Sequence, residues 1–69
     1  MVNLMILEDE LKKNGKSKKD LSEYLDIDTS TLYRKLHGIS DFTREEISKT
    51  CAFINITDPI PIFFTDWIA

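Results

Sequence analysis

One cysteine, one histidine and a scatter of serines are the side chains suited to nucleophilic catalysis or soft-metal binding. Cys51 and His37 stand alone, with nothing at zinc-ligand spacing beside them. A lone cysteine also rules out an intramolecular disulfide. Ser22, His37 and an aspartate can be strung into a nominal triad, but no buried cleft is implied to exclude water around it. Cys51 falls in phase with Ile47 and Ile54, as a buried inert thiol would. No catalytic group, metal, cofactor or small-molecule substrate is expected.

A second group of residues is more informative. Between Thr29 and His37 the chain carries three hydroxyls, Tyr33, Arg34, Lys35 and His37, and no glutamate. With Leu32 and Leu36 turned inward at about 100° per residue, Ser30, Arg34 and His37 point directly outward. Thr29 and Tyr33 flank one side of that face, Thr31 and Lys35 the other. Arginine can pair with guanine through two hydrogen bonds, and serine or threonine can meet several base edges. Lys12, Lys13, Lys16, Lys18 and Lys19 add an upstream basic cluster. The acids gather at Glu8–Glu10, at Glu45–Glu46 and near the C-terminus, so a net charge of −3 does not describe every face.

The elements that must position these groups are helical. The chain has 69 residues, enough for one domain, and a domain of this size buries only roughly 60% of its unfolded surface. Leu4, Leu7 and Leu11 form a stripe that predicts a helix over about residues 3–14, stopped by Asn14-Gly15. Ser17 caps a second helix, about 18–25, in which Leu21 and Leu25 share a face. Asp28 caps a third, about 29–37, closed by Gly38. Ile27 and Leu32 are spaced as a hydrophobic staple around that cap. Thr43-Arg44-Glu45-Glu46 is a capping box flanked by Phe42 and Ile47, and it opens a fourth helix, about 44–54. A fifth helix is expected from Ile60 to Trp67, with a strand through Ile62-Phe63-Phe64 as the alternative.

Ser17 to Gly38 thus has the layout of two short helices joined by a tight turn, with Ile27 as its apolar residue. The stretch Ser17-Lys18-Lys19-Asp20-Leu21-Ser22-Glu23-Tyr24-Leu25, then Ile27, then Thr29-Ser30-Thr31-Leu32-Tyr33-Arg34-Lys35-Leu36-His37-Gly38 resembles the Cro/repressor-type helix-turn-helix domains of temperate phages. Ile39 to Ile47 is similar to that group's following loop and fourth helix. The resemblance covers roughly residues 3–56. It implies an all-α, lambda-repressor-like fold of four to five short helices around a central helix-turn-helix. Matched by position, base contacts fall on Thr29, Ser30 and Arg34, and a phosphate contact falls on Lys18. Tyr33 and Lys35 match further contact positions, and His37 either meets phosphate or ends its helix. The group often has glycine where this chain has Asp26, a residue that tolerates positive φ.

Two functions follow as expectations. The first is a Cro-like transcriptional regulator that binds a double-stranded operator as a homodimer. The second is an antirepressor that pairs with a phage repressor. Lys16, Lys19, Asp26 and Asp28 would then meet phosphate or the protein partner. The C-terminal segment, 57–69, holds more apolar groups than one short helix can bury. Ile62, Phe63, Phe64 and Trp67 are therefore expected at an oligomer interface, with wrapping over the first and fourth helices as the alternative. No apolar run approaches the roughly 18 residues of a membrane span, and the N-terminus lacks the pattern of a signal peptide. A cytoplasmic protein is expected.

Overall fold

The computed structural model describes residues 2–65, which form five helices and no strand. These are α1 (Leu4–Lys13), α2 (Lys18–Tyr24), α3 (Thr29–Leu36), α4 (Arg44–Phe53) and α5 (Ile60–Phe63). Each of the first four begins at a side chain that accepts from the backbone two or three residues inside the helix. Asn3 accepts from Ile6 N–H, Ser17 from Asp20 N–H, Asp28 from Thr31 N–H and Thr43 from Glu46 N–H. Ser17–Asp20 and Thr43–Glu46 are reciprocal capping boxes, which satisfy two otherwise orphaned donors at each start.

The ends of the same four helices are also alike. A residue in the left-handed region follows each cap: Gly15, Asp26, Gly38 and Asn55. The next amide then reaches back five residues in the Schellman pattern, as in Ile27 N–H to Ser22 C=O at 3.0 Å and Ile56 N–H to Cys51 C=O at 3.0 Å. Asn14 joins two of these ends. Its Nδ2 donates to the carbonyls of Glu10 and Ile54, and its Oδ1 accepts from Asn55 Nδ2 at 2.8 Å.

The core is a cluster of Leu7, Leu11, Leu21, Leu25, Leu32, Leu36, Cys51, Ile54, Ile62 and Phe63. Ile27, Phe42 and Ile47 pack against it, so both staple pairs reach the core. The buried hydroxyls of Ser22 and Thr50 are satisfied by the carbonyls of Lys19 and Glu46.

The C-terminal segment corrects two expectations. Helix α5 is a single turn ending at Phe63, and Phe64 leaves the helical region at φ −129° and ψ 43°. Ile62 and Phe63 are buried in the chain's own core, so they are not free for an oligomer interface. The reason is tertiary. A 2.6 Å bond from Asn3 N–H to Ile62 C=O ties α5 to the start of α1, and Phe63 meets Phe42 edge-on at 5.2 Å. Phe64 points the other way and stays 40% exposed. Trp67 lies outside the described residues.

Candidate nucleic-acid interface

The turn between α2 and α3 is built by local chemistry. Leu25 caps α2, Asp26 takes φ 58°, and Ile27 drops toward the core before Asp28 opens α3. An aspartate thus stands where the turn calls for a left-handed residue, as its short polar side chain allows. Leu21 and Leu25 of the first helix and Leu32 and Leu36 of the second are all buried. That packing directs the opposite face of α3 to solvent.

Thr29, Ser30, Tyr33, Arg34 and His37 are exposed on α3 and its C-cap. Tyr33 and His37 lie one turn apart with ring centroids 4.1 Å apart, which orders the C-terminal end of the face. Arg34 Nη2 donates to Thr31 Oγ1 at 3.3 Å. At the other end, Asp28 Oδ1 accepts from Thr31 N–H at 2.6 Å and from Ser30 Oγ at 2.9 Å. Hydrogen bonds from Thr31, then that from Ser30 and the nearby charge of Arg34, hold the Asp28 carboxyl down at about 2.

Lys35 departs from its expected place. Its Nζ lies 2.8 Å from Glu46 Oε1 and donates to the Asp41 carbonyl at 3.0 Å. The side chain is only 11% exposed, and the Phe42 ring lies beneath the ammonium at 5.9 Å. Lys35 is therefore a strut between α3 and the capping box of α4, with its charge already partnered. Burial pushes the Glu46 carboxyl up, but hydrogen bonds from Lys35 and from the Thr43 amide, with the lysine's charge, bring it below the ordinary value. The sequence signal for this pairing was present in Glu46, the acid of the capping box, but not its reach to a residue eleven positions earlier.

The upstream lysines are arranged unequally. Lys18 at the start of α2 is half-exposed and pairs with Glu8 of α1 at 2.6 Å. An exposed pair of this kind is weak and exchanges readily for another anion. Lys16 lies over the Phe53 ring at 5.0 Å, and Phe53 in turn stacks on Tyr24. Lys19 and Asp26 are exposed. Two exposed residues carry no contact role in the sequence reading: Arg44 at the start of α4, and Ile39, which is 68% exposed just past α3. Ile39 had a signal in its place directly after the Gly38 stop.

A groove beside α4 is lined by Phe42, Ile47, Cys51, Ile56, Pro59 and Phe64 among others. Burial, and after it the charge of Asp58, pushes the Cys51 thiol up from its ordinary value. Among the described residues no group of His, Cys, Asp and Glu is placed to hold a metal ion, and no helix is long and apolar enough to cross a membrane.

The arrangement is that of an amphipathic helix held rigidly across a capped partner, with hydroxyls, an arginine and aromatic rings outward. Comparison with known proteins agrees. The family model for the Cro/C1-type helix-turn-helix DNA-binding domain matches residues 7–59, a span running from the middle of α1 to the residue before α5. No curated protein and no solved structure gives a match. The chain belongs to the Cro/C1-type helix-turn-helix DNA-binding domain family.

Proposed function

We propose that this protein is a cytoplasmic, sequence-specific transcriptional regulator of Cro-like type, serving a phage switch between lysis and lysogeny. Helix α3 enters the major groove, where Thr29, Ser30 and Arg34 meet base edges, with Tyr33 and His37 beside them. Lys18 and Lys19 meet phosphate at the start of α2. The single observation that carries this reading is the exposed face of α3, from Thr29 to His37, on the second helix of the matched motif. A homodimer on a partly palindromic operator would place two such helices about one DNA turn apart. The test is binding to the promoter DNA next to its own gene at two salt concentrations. Specific binding that weakens steeply with salt supports the reading, because counterions are released from each neutralised phosphate. No binding at micromolar protein removes it.

The charge distribution favours a second reading. The net charge is −3, Asp26 and Asp28 are both exposed at the turn, and Lys35 is already paired. A surface of mixed sign suits a protein partner, and in this reading the domain masks the DNA-reading face of a partner repressor. Titration of that repressor into the protein, followed by size-exclusion chromatography, separates the two. A stable complex with no DNA affinity of its own selects the antirepressor.

A further inference from the structure

The exposed face of α3 is chemically polar along its length, and the asymmetry begins at Ser30. Ser30 Oγ lies 2.9 Å from Asp28 Oδ1. The same carboxylate oxygen accepts from Thr31 N–H at 2.6 Å, which anchors it to the helix start. Asp28 stays ionised at neutral pH, for its carboxyl sits at about 2. An ionised carboxylate only accepts, so the proton between the two side chains belongs to Ser30. A hydroxyl has one proton to give and two lone pairs to offer. With its proton committed to Asp28, Ser30 presents only lone pairs to the solvent side.

Arg34 is its opposite. The guanidinium carries five N–H donors and no acceptor, and the contact with Thr31 Oγ1 uses one of them. One helical turn separates Ser30 from Arg34, about 6 Å along α3. At these two positions the face therefore offers an acceptor and, one turn later, donors. In the major groove, adenine N6 and cytosine N4 carry donor hydrogens, whereas guanine O6 and N7 and thymine O4 accept.

We infer that Ser30, oriented by Asp28, is an obligate acceptor that selects adenine or cytosine at the base it meets, beside a guanine met by Arg34. The inference rests on the reading that α3 lies in the major groove of DNA. Ser30 would touch the base, and Asp28 is a positioning residue that fixes the direction of the serine proton.

The test uses the full-length protein and a pool of duplexes with a randomised central segment. Bound duplexes are recovered and sequenced for the wild type and for Ser30→Ala, a substitution at an exposed position whose folding is checked by circular dichroism. The wild type is expected to enrich adenine or cytosine at one position of each site, and Ser30→Ala to lose that preference by roughly threefold to tenfold. In the selected duplex, that base is then replaced by its analogue without the exocyclic amino group. Wild-type binding should weaken by the same factor, and binding by Ser30→Ala should not change. Equal losses for both proteins overturn the inference. So does a selected site in which Ser30→Ala alters no preference, or alters one for guanine or thymine. If the wild type enriches no duplex at all, the DNA-binding reading falls and this inference falls with it.

Discussion

Lys35 Nζ lies 2.8 Å from Glu46 Oε1, and this pair fastens the exposed helix α3 to the capping box of α4. Both side chains are mostly buried, at 11% and 16% exposure. The glutamate serves two structures at once, because the same Oε1 accepts from Thr43 N–H at 2.9 Å. The orientation of α3 is thereby coupled to the start of α4, and the orientation of its outward face is coupled with it.

Replacing Glu46 by glutamine keeps the reach of the capping box, which accepts Gln, but removes the charge opposite Lys35. The expected cost is about 1–3 kcal/mol, since the hydrogen bond loses its charged acceptor and a mostly buried ammonium loses its counter-charge, keeping only the Asp41 carbonyl. Urea denaturation measures it. Lys35→Met should also destabilise, yet leave the DNA affinity of the folded protein nearly unchanged. A Lys35→Met variant of full stability that has lost DNA binding would contradict the strut.

Acid should weaken the fold through carboxyls held low in the folded state. Asp28 titrates at about 2 when folded against an ordinary value of 3.8, and Glu46 and Asp20 are also shifted downward. Their stabilising contribution is complete above the ordinary carboxylate range and is lost as pH falls through the folded values. Melting temperature should therefore hold from pH 7 to about 5 and drop between about 4 and 2. Asp28→Asn keeps a capping side chain and should flatten the lower part of that drop. A melting temperature independent of pH down to 2 would refute the capping assignment.

Asp26 carries backbone strain at φ 58°. Asp26→Gly should stabilise the domain by roughly 0.5 kcal/mol, and Asp26→Ala should destabilise it by about 1 kcal/mol. The glycine variant also loses a negative charge at the turn. If α3 binds DNA, its affinity at low salt should rise. Equal stability for the glycine and alanine variants would show that the left-handed turn is not the controlling feature.

Arg34→Ala should leave stability within about 0.5 kcal/mol of wild type, because the side chain is exposed. Its binding to a specific site should weaken by about 1–3 kcal/mol, while binding to random DNA falls less. Fluorescence anisotropy on both duplexes checks the difference. Equal losses on the two would assign Arg34 to phosphate.

Ile62→Ala should cost about 2–4 kcal/mol, as a large-to-small change at a fully buried position. If Ile62 belongs to the chain's own core, that loss is independent of protein concentration. Phe64→Ser, at a position 40% exposed, should cost far less in the monomer. A concentration-dependent melting temperature abolished by Phe64→Ser alone would identify Phe64 as an interface residue.

The sequence by itself determined the first four helices, the caps of α2, α3 and α4, and the turn between α2 and α3. Those features are local: Ser17, Asp28 and Thr43 bond within three residues of themselves, and the stops at Gly15 and Gly38 act on the next amide. The outward face of Ser30, Arg34 and His37 was legible too, since Leu32 and Leu36 set the phase of α3. Tertiary structure alone decided where Lys35, Ile62 and Phe63 belong. A lysine at a flank position can face solvent or a neighbouring helix, and only the approach of Glu46, eleven residues away, settles which. An apolar run after the last long helix can cover its own core or another chain, and for Ile62 the bond from Asn3 places it in the core. Such contacts depend on how helices cross in space, a property that no short window of residues encodes.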